Sequence, residues 1–307
     1  MRFCSRIALV LVVPDLPCRA IALSLGESCD ATSAMVCLRC AASLLADAAR
    51  RRRLPPVSLP PDARGKLDLH GGTCAVVLDG SAMPTSGGRE RCLLVSLLHN
   101  ERFTLNARTL ATGADPRTQA DLLANAWHIH TAGEARGTLA WLLEEGHRAL
   151  YPQVCRILFA VPRAAREREI VLLDELFDPV RLALCVDNLE RAMPDLRAGR
   201  VVGSRVDLAR GVLAWDMSRA IHVARAAYDC GMQTEAQAWA VIERAASQVF
   251  TQLESWEEVA VSYLLGRAMW GGPGAGLLRQ LSFARLCLDD SASPWRAAPY
   301  RAAACGA

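Results

Sequence analysis

Residues 205–231 read RVDLARGVLAWDMSRAIHVARAAYDCG, residues 232–254 read MQTEAQAWAVIERAASQVFTQLE, and residues 255–272 read SWEEVAVSYLLGRAMWGG. Their spacing predicts three consecutive helices. At about 100° per residue, Leu208, Val212, Trp215, Val223 and Ala226 fall within an arc of about 80°. Arg219 lies near the middle of that arc and Asp216 at its edge, one turn away. Gly231 supplies a left-handed residue to stop this helix, which is expected to run over 205–230. Thr234 and Gln237 form a capping box that opens the second helix, making an αα-hairpin. Trp239, Ile242, Ala246, Val249 and Leu253 then give a plain core stripe. Ser255 and Glu258 read as another capping box. The helix they open places Trp256, Ala260, Tyr263, Arg267 and Trp270 on one face, and Gly271, Gly272 and Pro273 end it.

Two arginines, Arg219 and Arg267, thus sit inside apolar faces. A guanidinium keeps its charge at any ordinary pH. Each therefore needs a carboxylate, an aromatic face, water or an anion. Two readings fit. In the first, Arg219, Arg267, Asp216, Tyr263 and the indoles of Trp215, Trp256, Trp270 and Trp295 form a structural network tying helices together. In the second they line a pocket for a small anion. Structural networks produce the same pattern, so the first is the expectation.

The chain has 307 residues, enough for one large or two modest domains. Its hydrophobic fraction of 52% and charged fraction of 22% are those of a folded protein rather than a disordered one. Aromatic residues are only 6% while Ala, Leu and Arg abound, which points to helices. A net charge of +3 gives no general pull toward nucleic acid, and no apolar run reaches the roughly 20 residues of a membrane span. The 12 cysteines are scattered through helix-like apolar patterns, as at Cys155, Cys185, Cys230 and Cys287. They read as buried thiols of a reducing, cytoplasmic compartment rather than as a disulfide framework.

The first 85 residues are expected to form an irregular extension, with residues 86–307 as the helical domain. Ile7–Val13 follows Arg2 and Arg6 but is interrupted at Pro14, so a buried strand, or sequence upstream of a start at Met35 or Met83, is preferred over a signal peptide. Cys37, Cys40, His70 and Cys74 make a loosely spaced metal set, and no metal is expected there. Arg50–Arg53 reads as a solvated helix end, Pro55, Pro56, Pro60 and Pro61 as a linker, and residues 66–80 as a short hairpin. Beyond residue 90 the pattern is helical. Leu122, Leu123, Ala126 and Trp127 make one helix, and Thr131 and Glu134 cap another that stops at Gly146. Residues 164–178 are amphipathic and acidic at their end. Asp178 and Pro179 start a helix that Pro194 is expected to close. Residues 277–288 make a last helix, followed by a turn that lays Trp295 back on the core.

The second part of the chain resembles an uncharacterised bacterial family, domain of unknown function 1266, the YbeU/YbeR-like proteins. The blocks that carry the resemblance are Ala126–Ile129, Gly146 with His147, Ala214–Arg219, Gly231 with Ala238 and Trp239, Ser255 with Trp256, Tyr263, Gly266 with Arg267, Trp270, and Ser293–Trp295. They cover roughly residues 90–300. The resemblance implies an all-α cytoplasmic domain and brings no activity with it.

Asp216, His147 and His222 are candidate acids or bases, whereas His128 and His130 point to different faces and suit no shared metal. Ser255 is explained by its cap rather than as a nucleophile. The expected function is a helical protein-interaction or accessory module, immunity-type included, with an unidentified protein partner. The alternative is an enzyme or sensor that holds a phosphate ester or nucleotide through Arg219 and Arg267, with Trp256 or Trp270 as a stacking platform. No cofactor is implied.

Overall fold

The computed structural model describes residues 87–101, 106–203, 205–291 and 293–300. The expectations for the N-terminal 85 residues, including the hairpin, the linker and the Cys37, Cys40, His70 and Cys74 set, lie outside them.

Helix α9, Leu213–Asp229, is the element on which the others pack. Every residue from Leu213 to Ala227 is buried. Such a helix needs neighbours all round, and its alanines at 214, 220, 224, 226 and 227 let them come close. It is preceded by α1 (Gly87–Leu94), α2 (Leu97–Glu101), α3 (Pro116–Trp127), α4 (Ala132–Glu144), α5 (Tyr151–Ala160), α6 (Arg166–Val171), α7 (Pro179–Ala198) and α8 (Arg205–Leu208). It is followed by α10 (Glu235–Gln252), α11 (Trp256–Gly271), α12 (Ala275–Asp289) and α13 (Pro294–Ala297). Short 3-10 turns span His147–Ala149 and Arg163–Ala165. Helices α2, α3, α4, α10 and α11 pack against α9, while α7 covers the far side of α11. Among the described residues there is no strand, and no helix is long and apolar enough to cross a membrane.

The caps read from the sequence are in place. Thr131 and Thr234 each accept a hydrogen bond from the N3 amide, and Glu134 and Gln237 complete the two boxes. Asp178 caps α7 with Pro179 in its first turn. Ser255 accepts from the Glu258 amide, but the Glu258 carboxylate turns away to the Glu254 amide and to Arg210, so this box is half formed.

Two boundaries differ from expectation. The stretch 205–230 is two helices, not one, because Gly211 takes a φ of 69° and Arg210 turns inward to a buried ion pair with Glu258. Leu208 therefore does not share a face with Trp215. Helix α7 runs through Pro194 to Ala198. Pro194 is exposed, so the carbonyl it leaves without a donor can face water, and the helix continues.

The crossing of α9 and α11 depends on Gly266, where a Cβ would overlap the Trp215 side chain. The backbone of one helix thus rests on the indole of the other. Trp295 lies 3% exposed and donates its indole N–H to the Leu94 carbonyl, tying the C-terminal turn to α1. None of the five described cysteines is in a disulfide; Cys185 and Cys287 are buried, and Cys92, Cys155 and Cys230 partly so.

Candidate functional site

Asp216, in the first turn of α9, is completely buried. It is held there by the turn after α4. The φ of Gly146 is 59°, and a Cβ at that position would overlap the Asp216 carboxylate. Only glycine lets the chain fold back so closely. The turn aims two amides at the carboxylate: His147 N–H donates to Oδ1 at 3.0 Å and Arg148 N–H to Oδ2 at 2.9 Å. The Arg148 guanidinium reaches Oδ2 at 3.4 Å and donates to the Leu142 and Leu143 carbonyls, satisfying the last turn of α4.

His147 is 1% exposed, with both ring nitrogens engaged. Arg219 Nη1 lies 2.7 Å from Nδ1, and Arg181 Nη2, from α7, lies 2.6 Å from Nε2. Asp216 Oδ1 is 3.4 Å from Nδ1 and 4.0 Å from Arg219. Burial pushes the His147 pKa below its ordinary value; Asp216 opposes the shift, and Arg219 and Arg181 add to it. The ring is therefore neutral near pH 7. A neutral imidazole accepts at one nitrogen only, while a guanidinium only donates. Whichever tautomer the ring adopts, one of its two arginine contacts sets donor against donor.

Indoles enclose the group. The Arg219 guanidinium lies 4.4 Å from the ring centre of Trp127, 5.1 Å from Trp215 and 5.4 Å from Trp270. Arg181 lies 4.9 Å over Trp270. Trp141 and Trp270 meet His147 edge-on, at 5.1 and 4.5 Å. Trp270 is 40% exposed and Trp127 and Trp141 are partly so; the cluster reaches the surface on their side.

The structure thus joins Trp215, Asp216, Arg219 and Trp270 of the expected cluster with His147, a candidate acid or base, and adds Arg148, Arg181, Trp127 and Trp141. Arg267 is partly buried, with its guanidinium against Gly271 and Gly276. Trp256 and Trp295 stack at 5.2 Å in a separate aromatic group with Phe250 and Tyr300. Tyr263 touches the far face of Trp215, where its hydroxyl meets His99 at 3.3 Å and Gln280 at 3.0 Å. His222 lies there too, edge-on to His99 at 4.9 Å. His128 is the left-handed cap of α3, and His130 is exposed. Ser255 acts as a cap. No group of three His, Cys, Asp or Glu among the described residues could hold a metal.

The sign of the His147 shift predicts a pH dependence. The unfolded chain binds a proton at His147 near pH 6.5, and the folded one does so only at lower pH. This contribution is complete above about pH 6.5 and declines as the pH falls below it. Melting of His147→Gln beside wild type from pH 7.5 to 5 is expected to show a shallower acid decline in the variant. Superimposable pH profiles would remove His147 as the cause.

An all-α domain wrapped around one buried, charge-bearing helix is the class that these features define. Residues 122–300 match the family described as a protein of unknown function (DUF1266), and the chain belongs to that family. The matched stretch begins within α3, yet Leu93, Leu94, Leu97 and Leu98 of α1 and α2 are buried in the same core. No curated protein and no solved structure matches the chain.

Proposed function

We propose that the domain is a binding module for an anionic group, held at Arg181 and Arg219 beside His147 and the Trp270 indole. The observation that carries this reading is the convergence of two guanidinium groups on the two nitrogens of one buried, neutral imidazole. Two guanidinium groups, those of Arg148 and Arg219, lie within 4.0 Å of the Asp216 carboxylate, and a third, Arg181, meets His147 on its other side. Arg148 is committed to the end of α4, and Asp216 to the turn at 146–148. The Arg181 guanidinium meets His147 and Trp270, and no ion pair to a carboxylate forms at it among the described residues. An oxyanion between Arg181 and Arg219 would accept from both guanidinium groups and relieve the donor-against-donor contact at the imidazole. It replaces the expected pairing of Arg219 with Arg267 by one of Arg219 with Arg181.

Sulfate is the suitable probe because its charge is constant over the range in which His147 titrates. At ten times its Kd it would stabilise the native state by about 1.4 kcal/mol, or a few degrees in Tm. Sulfate also raises the stability of proteins in general by exclusion from their surfaces. The measurement is therefore the difference in Tm shift between wild type and Arg181→Met across a sulfate titration. A saturable shift in wild type alone is expected; equal, linear shifts in both would remove the anion reading.

A further inference from the structure

We propose that an anion held at Arg181 and Arg219 binds together with a proton, which the His147 imidazole takes up, so that the domain grips its anion more tightly as the pH falls. This rests on the anion-binding reading above and adds to it the regulation of the same site.

The two nitrogens of His147 have unequal surroundings. Nδ1 faces α9, with Arg219 Nη1 at 2.7 Å and Asp216 Oδ1 at 3.4 Å. Nε2 faces α7, with Arg181 Nη2 at 2.6 Å. A protonated imidazole donates at both nitrogens. Its Nδ1–H would find an acceptor in Asp216. Its Nε2–H would meet only the donors of Arg181. An empty site therefore opposes the proton by geometry on the α7 side. An oxyanion between Nε2 and the Arg181 guanidinium would accept from both and remove that opposition.

Charge acts in the same direction. The charged groups that meet the ring are Asp216 and Arg219 from α9 and Arg181 from α7, with Arg148 of its own turn reaching Asp216 from the far side. The helices α4 and α11 present the indoles of Trp141 and Trp270 to it. Glu144 and Glu145, at the end of α4, are exposed. Three guanidinium groups against one carboxylate leave the cluster cationic before any proton is added, and a dianion cancels that excess. Burial first, with Arg219 and Arg181 adding to it, holds the His147 pKa below its ordinary value in the empty site. The bound anion moves it back up.

The two arginines differ in freedom. Arg219 is 7% exposed and has indoles around its guanidinium. Arg181 is partly exposed and lies over Trp270, on the side where the cluster reaches the surface. Arg181 is therefore the group that gives up Nε2 and turns to the anion. Linkage is reciprocal: a proton that tightens the anion is itself tightened by the anion to the same extent. One proton sets a ceiling of about tenfold in affinity per pH unit.

The test uses the full chain and sodium sulfate, whose charge is constant over the range. Trp127, Trp141 and Trp270 line the cluster, so tryptophan fluorescence reads the titration. The sulfate Kd of wild type is expected to fall by about fivefold or more between about pH 7.5 and about pH 5.5. His147→Gln keeps a polar side chain of similar reach that cannot be protonated, and its Kd should change by less than about twofold over the same range. A second reading needs no variant. The C2–H resonance of His147 in wild type should titrate at higher pH with saturating sulfate than without it. Saturable binding with a pH-independent Kd, or an unmoved His147 midpoint, would overturn the coupling and leave the anion site standing. Equal tightening in His147→Gln would assign the proton to another group, Asp216 being the nearest, and would also overturn it. No saturable binding at any pH would remove the anion site and this proposal together.

Discussion

Replacing Arg225 with methionine is expected to destabilise the domain by about 3–5 kcal/mol, because several buried carbonyls lose their donor at about 1–3 kcal/mol each. Arg225 is 0% exposed in α9. It donates to the carbonyls of Leu110 at 3.0 Å, Thr109 at 3.0 Å, Ala111 at 3.1 Å and also Asn106, and to the Asn100 side chain at 3.2 Å. One turn on, Asp229 accepts from the Thr112 amide and hydroxyl. The segment 106–112 makes few backbone hydrogen bonds of its own, so Arg225 supplies donors that a helix or strand would otherwise provide. Burial pushes its pKa down to about 10, which leaves it charged at neutral pH. Methionine keeps the stem and strands those carbonyls in the interior. Urea unfolding is expected to show the loss, and amide exchange at 106–112 should rise further than exchange in α10. Arg225→Lys restores the charge but not the fork of donors, and should recover only part of it. A midpoint within 0.5 kcal/mol of wild type would show that the segment is held by something else.

Arg225 also shows where sequence reading stops. On a helical wheel of 205–230, Arg225 lies about 120° from the centre of the apolar stripe, where a residue ordinarily faces water. Helix α9 has no such side, because α2, α3, α4, α10 and α11 surround it. Periodicity cannot distinguish a polar residue facing solvent from one facing a buried loop. Local signals fared better. The boxes at Thr131 and Thr234, the cap at Asp178, the left-handed Gly231 and the return of Trp295 to the core each depend on a few neighbouring residues. They fix where helices begin and end, and from them the all-α fold follows.

The candidate site was legible only in half. Trp215, Asp216 and Arg219 lie within one turn of α9, so their proximity is a matter of spacing. His147 is 72 residues from Arg219 and Arg181 is 34 residues from His147, so those contacts depend on how distant helices cross. Gly146 was the one usable signal: a glycine before a histidine at a helix end marks a turn that must approach something closely. For Arg181 there was none, since its neighbours Val180 and Leu184 are exposed and the helix start gives it no distinction. Arg267 is the converse case. Its stripe on α11 is real, but Gly266 brings α9 so close that Trp215 occupies the crossing, and the guanidinium lies toward Gly271 and Gly276 instead.

The second large effect is expected at Asp216. Asp216→Ala removes the acceptor for the His147 and Arg148 amides and the carboxylate nearest Arg148, His147 and Arg219. Three guanidinium groups then share the site without a counter-charge, and the loss should be about 3–5 kcal/mol. Asp216→Asn keeps the shape but turns an amide donor toward groups that are already donors, so it should lose nearly as much. Gly146→Ala presses a Cβ on the same carboxylate from the other side. Combined with Asp216→Ala, which clears that space, it should be less harmful than the sum of the two. The informative comparison is with sulfate. If the cluster is a place where an anion is held, the alanine variant has gained a vacancy among three cations. Sulfate should then raise its Tm by more than it raises that of wild type or of Arg225→Met. A sulfate response in Asp216→Ala no larger than in Arg225→Met would mean that the guanidinium groups relax apart once Asp216 is gone. The carboxylate would then be the keystone of a structural network, and the anion-binding reading would lose its support.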